Sequence, residues 1–134
     1  MGKQLVLISH GRLCEALKES TEMIMGPQEN IHTVALLPED SPEQFQDKFE
    51  AVIQNLDEYI VCCDLMGGTP CNVVAKMIMT GTNIDLYAGM NMPMVIEFIN
   101  STMVDQEPDL INSTKNNIIH VNEVIATSDD DEDE

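Results

Sequence analysis

Residues 59–81 read YIVCCDLMGGTPCNVVAKMIMTG, and the order of their parts decides the fold. Tyr59 to Cys63 is a short apolar run with β-branched members, which suits a strand covered on both faces. It delivers Asp64 and a glycine loop, Leu65-Met66-Gly67-Gly68. Thr69 and Pro70 then supply a helix N-cap and a proline at the first helical position. Val74, Met77 and Ile78 recur at helical spacing until Gly81 closes the helix. Strand, polar loop and helix in this sequence form the repeating unit of an alternating α/β chain.

The same unit recurs on either side. Gln4 to Ser9 is a second nearly continuous apolar run, followed after Gly11 by Leu13, Ala16, Leu17, Ser20 and Ile24 on one helical face, with Gly26-Pro27 as the stop. Ile31 to Leu37 reads as a strand ended by Pro38. Ser41-Pro42 starts a helix whose inward stripe is Phe45, Phe49, Val52, Ile53 and Leu56. Beyond residue 81, Ile84 to Ala88 reads as a fourth strand, and Gly89-Met90-Asn91-Met92-Pro93 leads into a helix with Val95, Phe98, Ile99 and Thr102 on one side. Asp105 to Asn117 is polar and carries a weak helical stripe, Leu110 and Ile111. Ile118 to Val124 alternates in a two-sided polar pattern that suits an edge strand. Thr127 to Glu134 reads as a disordered acidic tail, leaving residues 1–126 as one domain. The expected architecture is a doubly wound open α/β sheet, mostly parallel, with helices on both faces.

Composition narrows the function. The chain has 134 residues, 43% of them hydrophobic, enough for a core of its own. Its 6 basic against 24 acidic residues give a net charge of −18, which repels nucleic-acid backbones and anionic membranes and favours a basic partner. The tail from Asp129 to Glu134 contributes six of those charges, so the body is acidic too. Neither a signal peptide nor a run of about 18 apolar residues is present, which reads as a soluble cytoplasmic protein without membrane insertion. Cys14, Cys62, Cys63 and Cys71 read as free, buried thiols. Adjacent Cys62 and Cys63 point to opposite faces of a strand, and with no C-x-x-C spacing a metal site is not expected.

Ligands of doubly wound sheets gather beyond the carboxyl ends of the strands. Three segments fall there: Ser9-His10-Gly11, Asp64 with Gly67-Gly68-Thr69, and Gly89 to Pro93. His10 is the candidate nucleophile. With Asp64 accepting a hydrogen bond from Nδ1, the ring presents the Nε2 lone pair to attack phosphorus, and the carboxylate stabilises the imidazolium that forms. Backbone N–H groups at a helix N-terminus favour an anion, so Gly11, Gly68 and Thr69 are the phosphate-binding candidates. Taken singly these features are ordinary: a histidine at a strand end is commonly structural, and Asp64 can simply cap a turn. The glycine pair lacks the lysine-bearing pattern of nucleotide loops, which argues against ATP. Arg12 reads as a solvated first-turn residue, and His32 and His120 as structural or surface groups. Met90, Met92 and Met94 read as core filling in preference to a site rim.

Together, Ile8-Ser9-His10-Gly11, Asp64 to Pro70 and Gly89-Met90-Asn91-Met92-Pro93-Met94 resemble the IIA component of the mannose-type (mannose-fructose-sorbose) family of the bacterial phosphoenolpyruvate-dependent sugar phosphotransferase system. The resemblance covers nearly all of residues 4–124. It implies an open sheet of four parallel strands plus one antiparallel edge strand that crosses to the neighbouring subunit of a homodimer, and Ile118 to Val124 fits that strand. It also implies a phosphotransferase in which His10 accepts a phosphoryl group from HPr and passes it to a IIB component, with Asp64 bonded to the histidine. No cofactor or metal is implied, because the phosphoryl group arrives on a protein. The chain ends at its acidic tail and so resembles a free-standing IIA protein. Two other readings stay open. One is the phosphoryl-donor subunit of dihydroxyacetone kinase, against which the Gly-Gly-Thr-Pro loop argues. The other is a non-catalytic, flavodoxin-like regulatory module in which His10 is never phosphorylated.

Overall fold

The computed structural model describes residues 2–132. The elements run β1 (Gln4–His10), α1 (Leu13–Met25), β2 (Ile31–Leu36), α2 (Pro42–Ile53), β3 (Tyr59–Cys63), α3 (Thr69–Met79), β4 (Asp85–Ala88), α4 (Met92–Met103), α5 (Leu110–Asn116) and α6 (Val121–Glu132). The four strands form a parallel sheet in the order β2-β1-β3-β4.

Strand β1 shows why a continuous apolar run becomes a central strand. Side chains alternate across a sheet, so Leu5 and Leu7 enter one core and Val6 and Ile8 the other. Cys14, Val95, Phe98, Ile99 and Leu110, from α1, α4 and α5, cover the first face. Phe45, Phe49, Val73, Val74 and Met77, from α2 and α3, cover the second. Each deeply buried aliphatic or phenyl group here contributes about 1.5–3 kcal/mol relative to its exposed state. At the sheet edge, β4 has Asp85 and Ala88 exposed. The four cysteines are free and buried, and burial pushes the Cys62 thiol up to about 12.

Helix starts follow the sequence signals with one shift. Ser41 Oγ accepts the Gln44 N–H while Gln44 Oε1 accepts the Ser41 N–H, a reciprocal capping box ahead of α2. Asn91 caps α4 by accepting the Met94 N–H at 2.9 Å. In α3 the cap is Gly68, and Thr69, expected as the N-cap, is the first helical residue.

The carboxyl-terminal region departs furthest from expectation. The weak helix expected over Asp105 to Asn117 is confined to α5, after a loop in which Asp105 holds a left-handed φ of 55°. Among the described residues there is no antiparallel edge strand: Ile118 to His120 lead into α6, which takes up Val121 to Glu132. Val121, Val124 and Ile125 fall at helical spacing, while Ile119, Val121 and Ile125 fall in an alternating run. With no strand alongside to receive its amides, the segment satisfies them within a helix. The stretch from Thr127 to Glu132, expected to be a disordered tail, has helical backbone, and residues 133–134 lie outside the described residues. None of the described helices is long and apolar enough to cross a membrane.

Candidate functional site

Chain order along the sheet reverses between β1 and β3, the position at which doubly wound folds open a crevice at the carboxyl edge. Ile8 lies opposite Cys63 in the parallel register, so the residues that follow, His10 and Asp64, emerge side by side. His10 Nδ1 stands 2.8 Å from Asp64 Oδ2, and the His10 backbone N–H donates to the same oxygen at 2.9 Å. One carboxylate oxygen therefore holds both the ring and the main chain of the histidine.

The electrostatics follow from that arrangement. Burial pushes the Asp64 carboxyl upward, but the hydrogen bonds from the His10 backbone and ring, with the ring's charge, outweigh it and hold the group below its ordinary value. An ionised carboxylate only accepts, so Nδ1 carries the hydrogen in the bonded pair and Nε2 keeps its lone pair. The His10 side chain is 48% exposed and that of Asp64 11%, which leaves the ring open to an incoming group while its anchor is shielded.

Gly68 completes the contact. A Cβ built there would stand 2.5 Å from His10 Cε1 and 3.1 Å from Nε2, so only glycine lets the start of α3 come this close to the ring. Its lack of a side chain also leaves the first-turn amides of α3 uncapped beside Nε2, a position that favours an anion. The loop is held in shape by Gly67, at φ 87°, whose carbonyl accepts Asn72 Nδ2 at 3.0 Å.

The structure thus brings His10, Asp64 and Gly68 together. Thr69 stands next to them as the first residue of α3, and Gly11 occupies the β1–α1 turn at φ 57°. The Gly89 to Pro93 loop approaches through the Met90 N–H, which donates to the Cys63 carbonyl at 3.0 Å. Met90 and Met94 pack into the core. Arg12 is exposed and paired with Glu15 at 3.1 Å.

Sequence reading overlooked two features. Ser9 is fully buried and bonded to the turn that follows His10, and Leu13 at the start of α1 and Leu65 and Met66 in the β3–α3 loop are 54%, 61% and 81% exposed. The signal for the second was present: large apolar side chains in a loop that ought to be polar. A cavity of about 670 Å³ lies at the other end of the sheet, among Lys3, Gln4, Asn30, Glu58 and Glu107, away from the histidine. The described residues contain no cluster of three or more His, Cys, Asp and Glu side chains suited to a metal ion.

Fold and site together define a doubly wound α/β protein built around a carboxylate-anchored histidine at the strand-order reversal. Residues 4–115 match the family model for the PTS system fructose IIA component. The chain belongs to that family, the mannose-type EIIA components of the sugar phosphotransferase system, which places it among the phosphotransferase components of sugar transport. It is 30% identical over 96 residues to the sorbose-specific EIIA component of Lacticaseibacillus casei, covering 70% of each chain. It is 29% identical over 114 residues to the fructose-specific EIIA component of Bacillus subtilis (strain 168), covering 83% of this chain and 78% of that one. Among solved structures, the PTS IIA protein associated with the fucose utilization operon of Streptococcus pneumoniae superposes with a TM-score of 0.82 at 25% identity, covering 93% of this chain and 97% of the other.

Proposed function

We propose that the chain is a cytoplasmic phosphoryl carrier that accepts a phosphoryl group on His10 Nε2 from phospho-HPr and delivers it to a IIB component. The observation that carries this reading is the pairing of His10 Nδ1 with Asp64 Oδ2 at 2.8 Å while Gly68 sits against the other ring nitrogen. In the forward step the Nε2 lone pair attacks phosphorus, the donor's P–N bond breaks, and a P–Nε2 bond forms. Asp64 stabilises the positive ring throughout. Thr69, at the uncapped start of α3, contributes its backbone amide to the phosphoryl oxygens, whereas the Gly11 and Gly68 N–H groups, also expected there, are already given to the Leu36 and Leu65 carbonyls at 2.7 and 3.3 Å. Transfer to the acceptor is the same step with the roles exchanged, and it requires neither cofactor nor metal.

The surroundings suit protein partners. Leu13, Leu65 and Met66, exposed on the segments that follow β1 and β3, offer a docking protein apolar surface of the sort found at protein interfaces. The net charge of −18 steers a basic donor such as HPr toward the molecule. A homodimer belongs to the same proposal. Its support is the exposed aliphatic row Ile118, Ile119, Val121, Val124 and Ile125, each half or more exposed in the single chain.

The test is intact-mass analysis after incubation with phosphoenolpyruvate, enzyme I and HPr under conditions that preserve acid-labile phosphohistidine. Wild type is expected to gain one phosphoryl group and lose it to a IIB component, and His10→Ala to gain none. Absence of any gain in wild type overturns the carrier reading in favour of a regulatory module, and delivery only to a kinase-bound nucleotide favours the dihydroxyacetone kinase reading.

A further inference from the structure

The polypeptide passes from β1 to α1 through Gly11 and Arg12 alone, and a buried hydroxyl organises that passage. Ser9 is 0% exposed, following the apolar run Leu5 to Ile8. A hydroxyl in such surroundings is costly unless it is bonded. Ser9 Oγ donates to the Gly11 carbonyl at 2.9 Å and accepts the Cys14 N–H at 2.8 Å. The second bond caps α1 from outside the helix, because Arg12 at the N-cap position makes no side-chain cap. Strand end, turn and helix start are therefore clasped by one side chain, and His10 lies inside the clasp. The turn is fixed from the other side by the Gly11 N–H, which donates to the Leu36 carbonyl at 2.7 Å.

We propose that Ser9 is the positioning residue for His10: its hydroxyl holds the β1–α1 turn so that Nδ1 stays on Asp64 and Nε2 faces Gly68. Ser9 touches neither the phosphoryl group nor its donor and acts only through the histidine. The kinetic part of the proposal rests on the carrier reading above, and the structural part does not. Without the hydroxyl, the Gly11 carbonyl and Cys14 amide lose their common partner, and the turn relaxes by an amount small for the fold and large for in-line transfer.

The experiment compares wild type with Ser9→Ala, Ser9→Thr, which keeps the hydroxyl, and Phe49→Leu, a core change on α2 that lowers stability elsewhere. Two quantities are read: the tautomer of His10 by nitrogen NMR of the unphosphorylated protein at alkaline pH, and single-turnover transfer from phospho-HPr over a range of donor concentrations. Wild type, Ser9→Thr and Phe49→Leu are expected to show the hydrogen on Nδ1. Ser9→Ala is expected to show a mixture of tautomers, with the maximal transfer rate reduced roughly tenfold to a hundredfold and the half-saturating donor concentration unchanged. If Ser9→Ala does not fold, Ser9→Cys, a weaker donor, is read in its place with the same expectations. A wild-type tautomer and rate in the Ser9 variant overturns the proposal, as does an equal loss in Phe49→Leu. If wild type itself accepts no phosphoryl group, the carrier reading fails, and the tautomer signals alone decide the role of Ser9.

Discussion

A single carboxylate oxygen governs the site, since Asp64 Oδ2 receives both the ring and the backbone of His10. Because the folded carboxyl is held below its ordinary 3.8, the unfolded chain takes up a proton first as pH falls. The stability that Asp64 confers is therefore complete above the ordinary value and is lost as pH drops through the folded one. Asp64→Asn is expected to melt below wild type at neutral pH and to approach it as pH falls below about 4, the region where carboxylates titrate. Calorimetric melting temperatures of both proteins across that range check this, and a constant gap would detach the acid response from this pair. The same variant is expected to slow transfer more than it destabilises, because an amide oxygen cannot offset the positive ring as a carboxylate does. His10, Asp64 and the glycine loop were legible in the sequence because each ends an apolar run. The Ser9 clasp was not, because a lone serine beside a turn has no pattern until its two partners are known.

At the scale of elements, caps and stops proved more informative than stripes. Ser41-Pro42 announced α2, and the capping box with Gln44 is formed. Ser41→Ala is expected to cost about 1 kcal/mol, the usual worth of such a cap. This lowers the melting temperature by about 4 °C for a domain of this size, and it leaves transfer unchanged because α2 packs away from the site. Thermal unfolding and the transfer assay together measure both parts. At α3 the cap moved by one residue, from Thr69 to Gly68, where close approach to His10 admits no side chain. The sharpest miss was α6. An alternating reading of Ile118 to Ile125 takes up Ile119, Val121 and Ile125 and a helical one Val121, Val124 and Ile125, and local pattern does not say whether a sheet edge lies alongside.

For the whole molecule, the decisive facts are strand order and what remains uncovered. The aliphatic side chains from Ile118 to Ile125 are exposed in the lone chain, whereas the helices α1 to α5 all pack on the sheet or on one another. Sedimentation velocity is expected to show a dimer for wild type and a monomer for the Ile118→Asp, Ile125→Asp double variant. A monomeric wild type would remove the dimer from the proposal. The alternating α/β class, the positions of the four parallel strands and the strand ends that bear His10, Asp64 and Gly68 were legible along the chain, because buried strands, helix caps and turns are written in short-range residue patterns. That β1 lies between β2 and β3, so that His10 meets Asp64 54 positions away, that Gly68 packs on the ring, and that the last segment is helical emerged with the folded molecule. Those outcomes depend on which surfaces meet across the sheet, and contacts between residues distant in sequence leave no periodic trace in the chain.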